Sequence, residues 1–127
     1  MVDGYSRIPL DELLPQADVL SLHCLLTDET RDLIGARELK MMKPDSLLIN
    51  TSRGGLVNEQ ALADALRAGE IGGAGFDVLT EEPPRNGNPL LADDIPNLIV
   101  TPHSAWASRE ARQRIVGITA VNLKSVL

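Results

Sequence analysis

Residues 47 to 62 read LLINTSRGGLVNEQAL. A short β-favouring run ends in a polar cluster, and an arginine, two glycines and a helical pattern follow. Asn58 is a good N-cap, Leu62, Leu66 and the alanines between them form an i, i+4 stripe, and Gly69 stands where a helix stop is expected. Upstream, Pro44 closes the preceding helix and starts the turn into a strand at 46–51. A strand, a glycine turn and a helix make half of a βαβ unit, which requires a parallel partner strand. The placement of Arg53, a long cation just past the end of a buried strand, calls for an explanation of its own.

Working outward, three further runs read as strands: ADVLSLH at 17–23, GGAGFDV at 72–78 and NLIVTP at 97–102. None alternates cleanly between apolar and polar residues, which suits strands buried on both faces. Helical patterns occupy 30–42, 58–69 and a final stretch from Ser104 to Leu127, while EEPPRNGNP at 81–89 is loop by composition. This order predicts an α/β fold, a doubly wound parallel sheet of about four strands with helices on both faces. In such sheets ligands bind beyond the carboxyl ends of the strands.

Composition agrees with one folded, soluble-type domain. The 127 residues are 43% hydrophobic and 24% charged, and a chain of this size buries roughly 68% of its unfolded surface. A net charge of -6 argues against a nucleic-acid partner, which needs a basic stripe. No apolar run approaches the length that spans a bilayer, so no membrane partner is expected. The single cysteine, Cys24, suits a reducing, cytoplasmic location. Only Tyr5, Phe76 and Trp106 are aromatic, so the core must rest on Leu, Ile, Val and Ala. No Cys–His pair has metal-ligand spacing, and no metal is expected.

Each strand delivers polar residues at its carboxyl end: His23 and Thr27, then Thr51, Ser52 and Arg53, then Asp77 with Glu81 and Glu82, then Thr101, His103 and Ser104. Singly, each has an ordinary reading as a surface ion pair, a turn hydrogen bond or a cap. Together they suit a substrate that has a carboxylate beside a carbonyl or hydroxyl. An arginine fork holds a carboxylate by two parallel hydrogen bonds. A histidine beside a carboxylate gains a defined tautomer and can pass a proton to an oxygen near neutral pH. None of these side chains can supply a redox agent.

The stretch MKPDSLLINTSRGGLVN at 42–58 closely resembles a signature of the D-isomer-specific 2-hydroxyacid dehydrogenases. The resemblance extends through 17–35, through GAGFDVLTEEP at 73–83 and through 88–111. It implies that Arg53 binds the substrate carboxylate, that His103 is the acid–base residue and that Glu82, directly before Pro83, holds His103. It implies NAD as cofactor, with NADP not excluded, lined by His23, Thr51, Ser52, Arg53, Asp77, His103 and Ala105. A small 2-hydroxy or 2-keto acid is the implied partner, and a homodimer the implied assembly. The run GAGFDVLTEEPPRNGNPLL and the Trp in PHSAWAS look most like bacterial glycerate dehydrogenases, also called hydroxypyruvate reductases.

The sequence departs from the family in lacking a G-x-G-x-x-G turn, the element that receives the pyrophosphate. Residues 1–127 thus resemble the second half of a Rossmann-type NAD-binding domain, without the phosphate loop and most of a substrate domain. The helix at 104–127 would lead back toward that domain. The family's C-P-x-T loop reads Cys24-Leu25-Leu26-Thr27 here, and Ser104 stands where an apolar residue is common. A regulatory NAD-binding module without turnover, or an inactive remnant, is the alternative expectation.

Overall fold

A computed structural model of the chain describes residues 6–126. Tyr5 and the last position of the expected final helix lie outside the described residues. In chain order the elements are α1 (Leu10–Leu13), β1 (Val19–Leu22), α2 (Ala36–Met41), β2 (Leu47–Asn50), α3 (Glu59–Ala68), β3 (Gly73–Phe76), β4 (Leu98–Val100) and α4 (Arg109–Val126). Two 3-10 turns, Gly54–Leu56 and Pro89–Leu91, complete the set. The four strands form one parallel sheet in the order β1-β2-β3-β4, and all four expected strands are present.

The best-signalled helix forms as its sequence predicts. Asn58 accepts the Ala61 N–H through its side chain at 2.9 Å, and Gly69 closes α3 at φ 67°, where a side chain would be strained. Leu62, Ala63, Ala65 and Leu66 of α3 are buried, and each buried leucine contributes on the order of 2 kcal/mol. They pack with Leu20, Leu22, Leu39, Leu48 and Phe76 into an aliphatic core in which Phe76 is the one aromatic among the described residues.

Two expected boundaries move. The helix predicted over 30–42 begins only at Ala36. Ahead of it, Asp32 has φ 52° and Ile34 bridges to Val57, so these backbone groups are committed elsewhere. The Gly35 N–H is taken by the Glu38 carboxylate at 3.0 Å, which starts the helix there. The last helix begins at Arg109 rather than Ser104, with the Ser108 hydroxyl accepting the Ala111 N–H. The short α1 carried no sequence signal, since it spans only four residues.

The expectation of strands covered on both faces is corrected by the burial pattern. Register places Leu20, Leu48 and Ala74 on one face, with Leu22, Asn50 and Phe76 one step further along it. That face is buried. The opposite face carries Val19, Ser21, Leu47, Ile49, Gly75 and Ile99, and Ile99 is 70% exposed. Right-handed crossovers between strands in sequential order put α2 and α3 on the same side. Nothing among the described residues covers the second face, although its residues are apolar enough to be covered.

The asymmetry sets a test. Leu62→Ala should cost about 2–5 kcal/mol of unfolding free energy, whereas Ile99→Thr, which keeps a β-branched side chain, should change it by no more than about 0.5 kcal/mol in dilute solution. Urea denaturation of both variants measures this, and equal losses would contradict a one-sided core.

Candidate active site

At the carboxyl edge of the sheet the backbone keeps its strand pairing for one more step: Asp77 N–H reaches Asn50 C=O at 3.0 Å and Thr101 N–H reaches Phe76 C=O at 2.8 Å. The turns after β2, β3 and β4 therefore start level with one another. Asp77 is 4% exposed, and its carboxylate accepts three hydrogen bonds from the β4 turn. The Thr101 hydroxyl donates at 2.6 Å, and the N–H groups of Ser104 and Ala105 donate at 2.8 and 2.9 Å. Burial pushes the Asp77 carboxyl upward, but the Thr101 hydroxyl and the two N–H groups together outweigh it and hold it below its ordinary value.

This clamp explains the shape of the segment it grips. His103 has φ 51°, a left-handed conformation that costs a non-glycine residue about 1–3 kcal/mol. Asp77 bonds on both sides of His103 hold that turn closed. The same bonds take up the Ser104 and Ala105 N–H groups, and the helix begins further on, where the Ser108 hydroxyl caps it. The residue type at Ser104 matters little to the clamp, since the main chain makes the contact. Trp106 also supports the turn, its indole N–H donating to the His103 carbonyl at 2.8 Å.

The turn carries the imidazole to Glu82, with Nδ1 and the carboxylate oxygen 2.6 Å apart. The second Glu82 oxygen accepts the Leu79 N–H at 2.7 Å. Burial raises the Glu82 carboxyl, while the His103 ring and the Leu79 N–H lower it by more, leaving it below the usual carboxylate range. Glu82 is therefore ionised near neutral pH and can only accept. Nδ1 must donate to it, and Nε2 is left for another partner.

Arg53 lies on the neighbouring turn. Asn50, fully buried, shapes that turn by donating to the Arg53 carbonyl at 2.9 Å and accepting the Ser52 N–H at 3.1 Å. The Ser52 hydroxyl ties the turn to the end of β1 through the Cys24 carbonyl at 2.9 Å. The exposed Arg53 guanidinium bonds only the Ser52 carbonyl, at 2.7 Å, and makes no ion pair with a carboxylate among the described residues. Gly54 follows it closely against the β3 turn, where a Cβ would sit 2.0 Å from the Leu79 carbonyl carbon.

The structure thus joins Glu82 to His103, and Asp77 to Thr101, Ser104 and Ala105. His23 stands apart at the end of β1, bonded to Ser21 at 2.8 Å. Thr51 rims a depression of about 330 Å³ with Asp77, Ser104 and Ala105, floored by Ile49, Gly75 and Ile99. A side chain at Gly75 would press on Ile49 and fill part of this floor. A flat apolar floor with a polar rim suits a planar ring that bears an amide. The described residues offer no glycine-rich turn for a pyrophosphate and no cluster that could hold a metal ion. Leu25, in place of the family's proline, is exposed, and the Thr30 hydroxyl holds its carbonyl at 2.7 Å.

Sequence reasoning did not single out Asn50 as a site residue. The available signal was a polar residue on the buried register of an apolar strand. A test of the clamp follows from the direction of the Asp77 shift. Its contribution is complete above the unfolded aspartate value of about 3.9 and is lost as pH falls through the lower folded value. Asp77→Ala should cost about 1–3 kcal/mol at neutral pH, and Asp77→Asn should flatten the fall in stability at acid pH. Thermal melts across that range check both. An unchanged acid limb in Asp77→Asn would mean the carboxylate is not the group that titrates.

Residues 2–105 match the family model described as "D-isomer specific 2-hydroxyacid dehydrogenase, NAD binding domain". A glycerate dehydrogenase of Methylorubrum extorquens is 58% identical over 106 residues, which cover 84% of this chain and 34% of the relative. A hydroxypyruvate reductase of Blautia hydrogenotrophica is 43% identical over 120 residues, 94% of this chain and 37% of the relative. Among solved structures, an acyclic imino acid reductase in complex with NADPH and D-Arg superposes with a TM-score of 0.87 at 37% identity, covering 99% of this chain and 39% of its own. The chain spans a little over a third of the length of these relatives. With a matching family model over most of its length, the chain belongs to the NAD-binding domain of the D-isomer-specific 2-hydroxyacid dehydrogenases.

Proposed function

We propose that these residues serve a nicotinamide-dependent oxidoreductase that interconverts a small D-2-hydroxy acid and its 2-keto acid, of the size of glycerate and hydroxypyruvate. The observation that carries the reading is the 2.6 Å contact between His103 and an ionised Glu82, set beside a ring-sized depression and one turn from a guanidinium with no carboxylate partner among the described residues. Bound nicotinamide would supply the hydride that no side chain here can supply.

The chain's own groups divide the remaining work. Arg53 presents its fork to the substrate carboxylate and fixes which face of the carbonyl is offered. Glu82 holds Nδ1, so Nε2 of His103 gives a proton to the carbonyl oxygen during reduction and takes one from the hydroxyl during oxidation. The negative charge of Glu82 stabilises the imidazolium between those events. Thr51, Ser52, Asp77 and Ala105 are assigned to the nicotinamide end, and His23 to the more distant part of the dinucleotide. NAD is favoured by the family description, and NADP stays open because an NADPH complex is among the structural relatives.

The finer assignments belong to the same reading. The relatives' names favour glycerate or hydroxypyruvate as substrate. The uncovered sheet face and the exposed α4 favour a homodimer. The helix would lead from residues 1–105 toward the substrate domain. A lone Cys24 favours the cytoplasm, the acidic charge disfavours nucleic acid, and no described helix is long and apolar enough to cross a membrane. Taken by itself the chain should not turn over, since its sequence contains no phosphate-binding glycine turn.

Two measurements test the reading. In the full-length enzyme, His103→Gln should lower kcat for hydroxypyruvate by about 10²–10⁴, and Arg53→Lys should lower kcat/KM at least about tenfold. Full activity in Arg53→Lys would remove the carboxylate fork. NADH titrated into the chain, followed by Trp106 fluorescence, should show binding no tighter than millimolar. Micromolar affinity would instead favour an NAD-binding module that is complete without the phosphate turn.

A further inference from the structure

Glu59, the first residue of α3, is half-buried, and both of its carboxylate oxygens are engaged. One accepts the Thr80 N–H at 2.7 Å. The other accepts the Asn88 side-chain N–H at 2.7 Å. Asn88 in turn accepts the Leu90 N–H at 2.9 Å, and Leu90 is 2% exposed in the core. Glu59 is thereby fixed from two sides and is more than an acidic residue placed near a helix N-terminus.

Its partner lies in the segment that bears the proposed acid–base pair. Leu79 and Thr80 are consecutive, and their N–H groups point to two different carboxylates: Leu79 to Glu82, and Thr80 to Glu59. On the other side of the same two residues, Gly54 is so close that a Cβ would lie 2.0 Å from Leu79 and 2.3 Å from Thr80. The loop is held between the glycine that follows Arg53 and the carboxylate that opens α3. Residues 54 to 59 therefore fix where Glu82 sits relative to Arg53.

We propose that Glu59 is a positioning residue, which through Thr80 sets the place of Glu82 and thereby the orientation of the His103 ring. The proposal rests on the reading of Glu82 and His103 as a pair. Loss of the Glu59 acceptor frees Thr80, lets the Leu79–Glu82 segment shift from Gly54, and loosens the Glu82 contact with Nδ1. Glu59→Gln keeps an oxygen for Thr80 and opposes its amide to that of Asn88, so it is the milder change.

The chain has two histidines, so imidazole nitrogen and carbon signals can be assigned by NMR with His103→Gln as the reference. The expected result is that Glu59→Ala moves the His103 ring signals toward those of Glu82→Gln, that Glu59→Gln moves them less, and that Glu59→Ala adds nothing in a Glu82→Gln background. His23 serves as the internal control and should not move. If Glu59→Ala lowers stability in urea yet leaves the His103 signals at their wild-type positions, Glu59 is only a helix-start residue and the proposal is overturned. If Glu82→Gln itself leaves His103 unmoved, the pair is wrong, and the role of Glu59 falls with it. Should Glu59→Ala not fold, the displacement in Glu59→Gln decides.

Discussion

The buried carboxylate of Asp77 is the constraint on which the rest of this site depends. A charge taken out of water must be matched by donors at once, and the nearest donors are the Thr101 hydroxyl and the Ser104 and Ala105 N–H groups. To bring two N–H groups from consecutive residues onto one carboxylate, the chain after β4 must turn sharply, and His103 takes up the turn at φ 51°. The direction of the imidazole follows from that turn. One buried charge at the end of β3 thus converts a strand terminus into a fixed platform for a histidine.

The turn after β2 is built on the same plan, with a polar side chain on the buried side governing the backbone of an exposed residue. Asn50 does this for the segment that ends in Arg53, while on the turn after β3 one oxygen of Glu82 accepts the Leu79 N–H and the other faces His103. The functional groups themselves stay accessible. His103 and Glu82 are each more than a third exposed, so their pairing contributes little to stability in water, and the geometry must come from the buried groups behind them. Parallel strands in register make this possible, because they bring three turns level along one edge.

Much of this was legible in the sequence, for identifiable reasons. Asn58 and Gly69 bracket α3 because capping is a local effect with a strong residue preference. The strands declare themselves through short apolar runs between turn residues. What the sequence misstates is the second face of the sheet. Val19, Leu47 and Ile99 are apolar in a pattern that suits cover on both sides, and in this chain they are exposed. Burial depends on what packs against a face, and no residue pattern within a strand contains that information. The site was legible as a set of residue types at strand ends, but its connections were not. Glu59 and Thr101 act through contacts 21 and 24 residues away in sequence, which only the fold brings together, and Asn50 acts locally, on a turn three residues on.

The most direct test of the central claim is amide hydrogen exchange at Ser104 and Ala105. Both residues are exposed and outside any helix or strand, so a turn without the clamp would exchange at close to the intrinsic rate. With the clamp in place both amides are protected at neutral pH, more than that of the adjoining Trp106, and the protection disappears as pH falls below the aspartate range. Free exchange at both positions at neutral pH would contradict the clamp, since Asp77 would then not be holding the turn that presents His103.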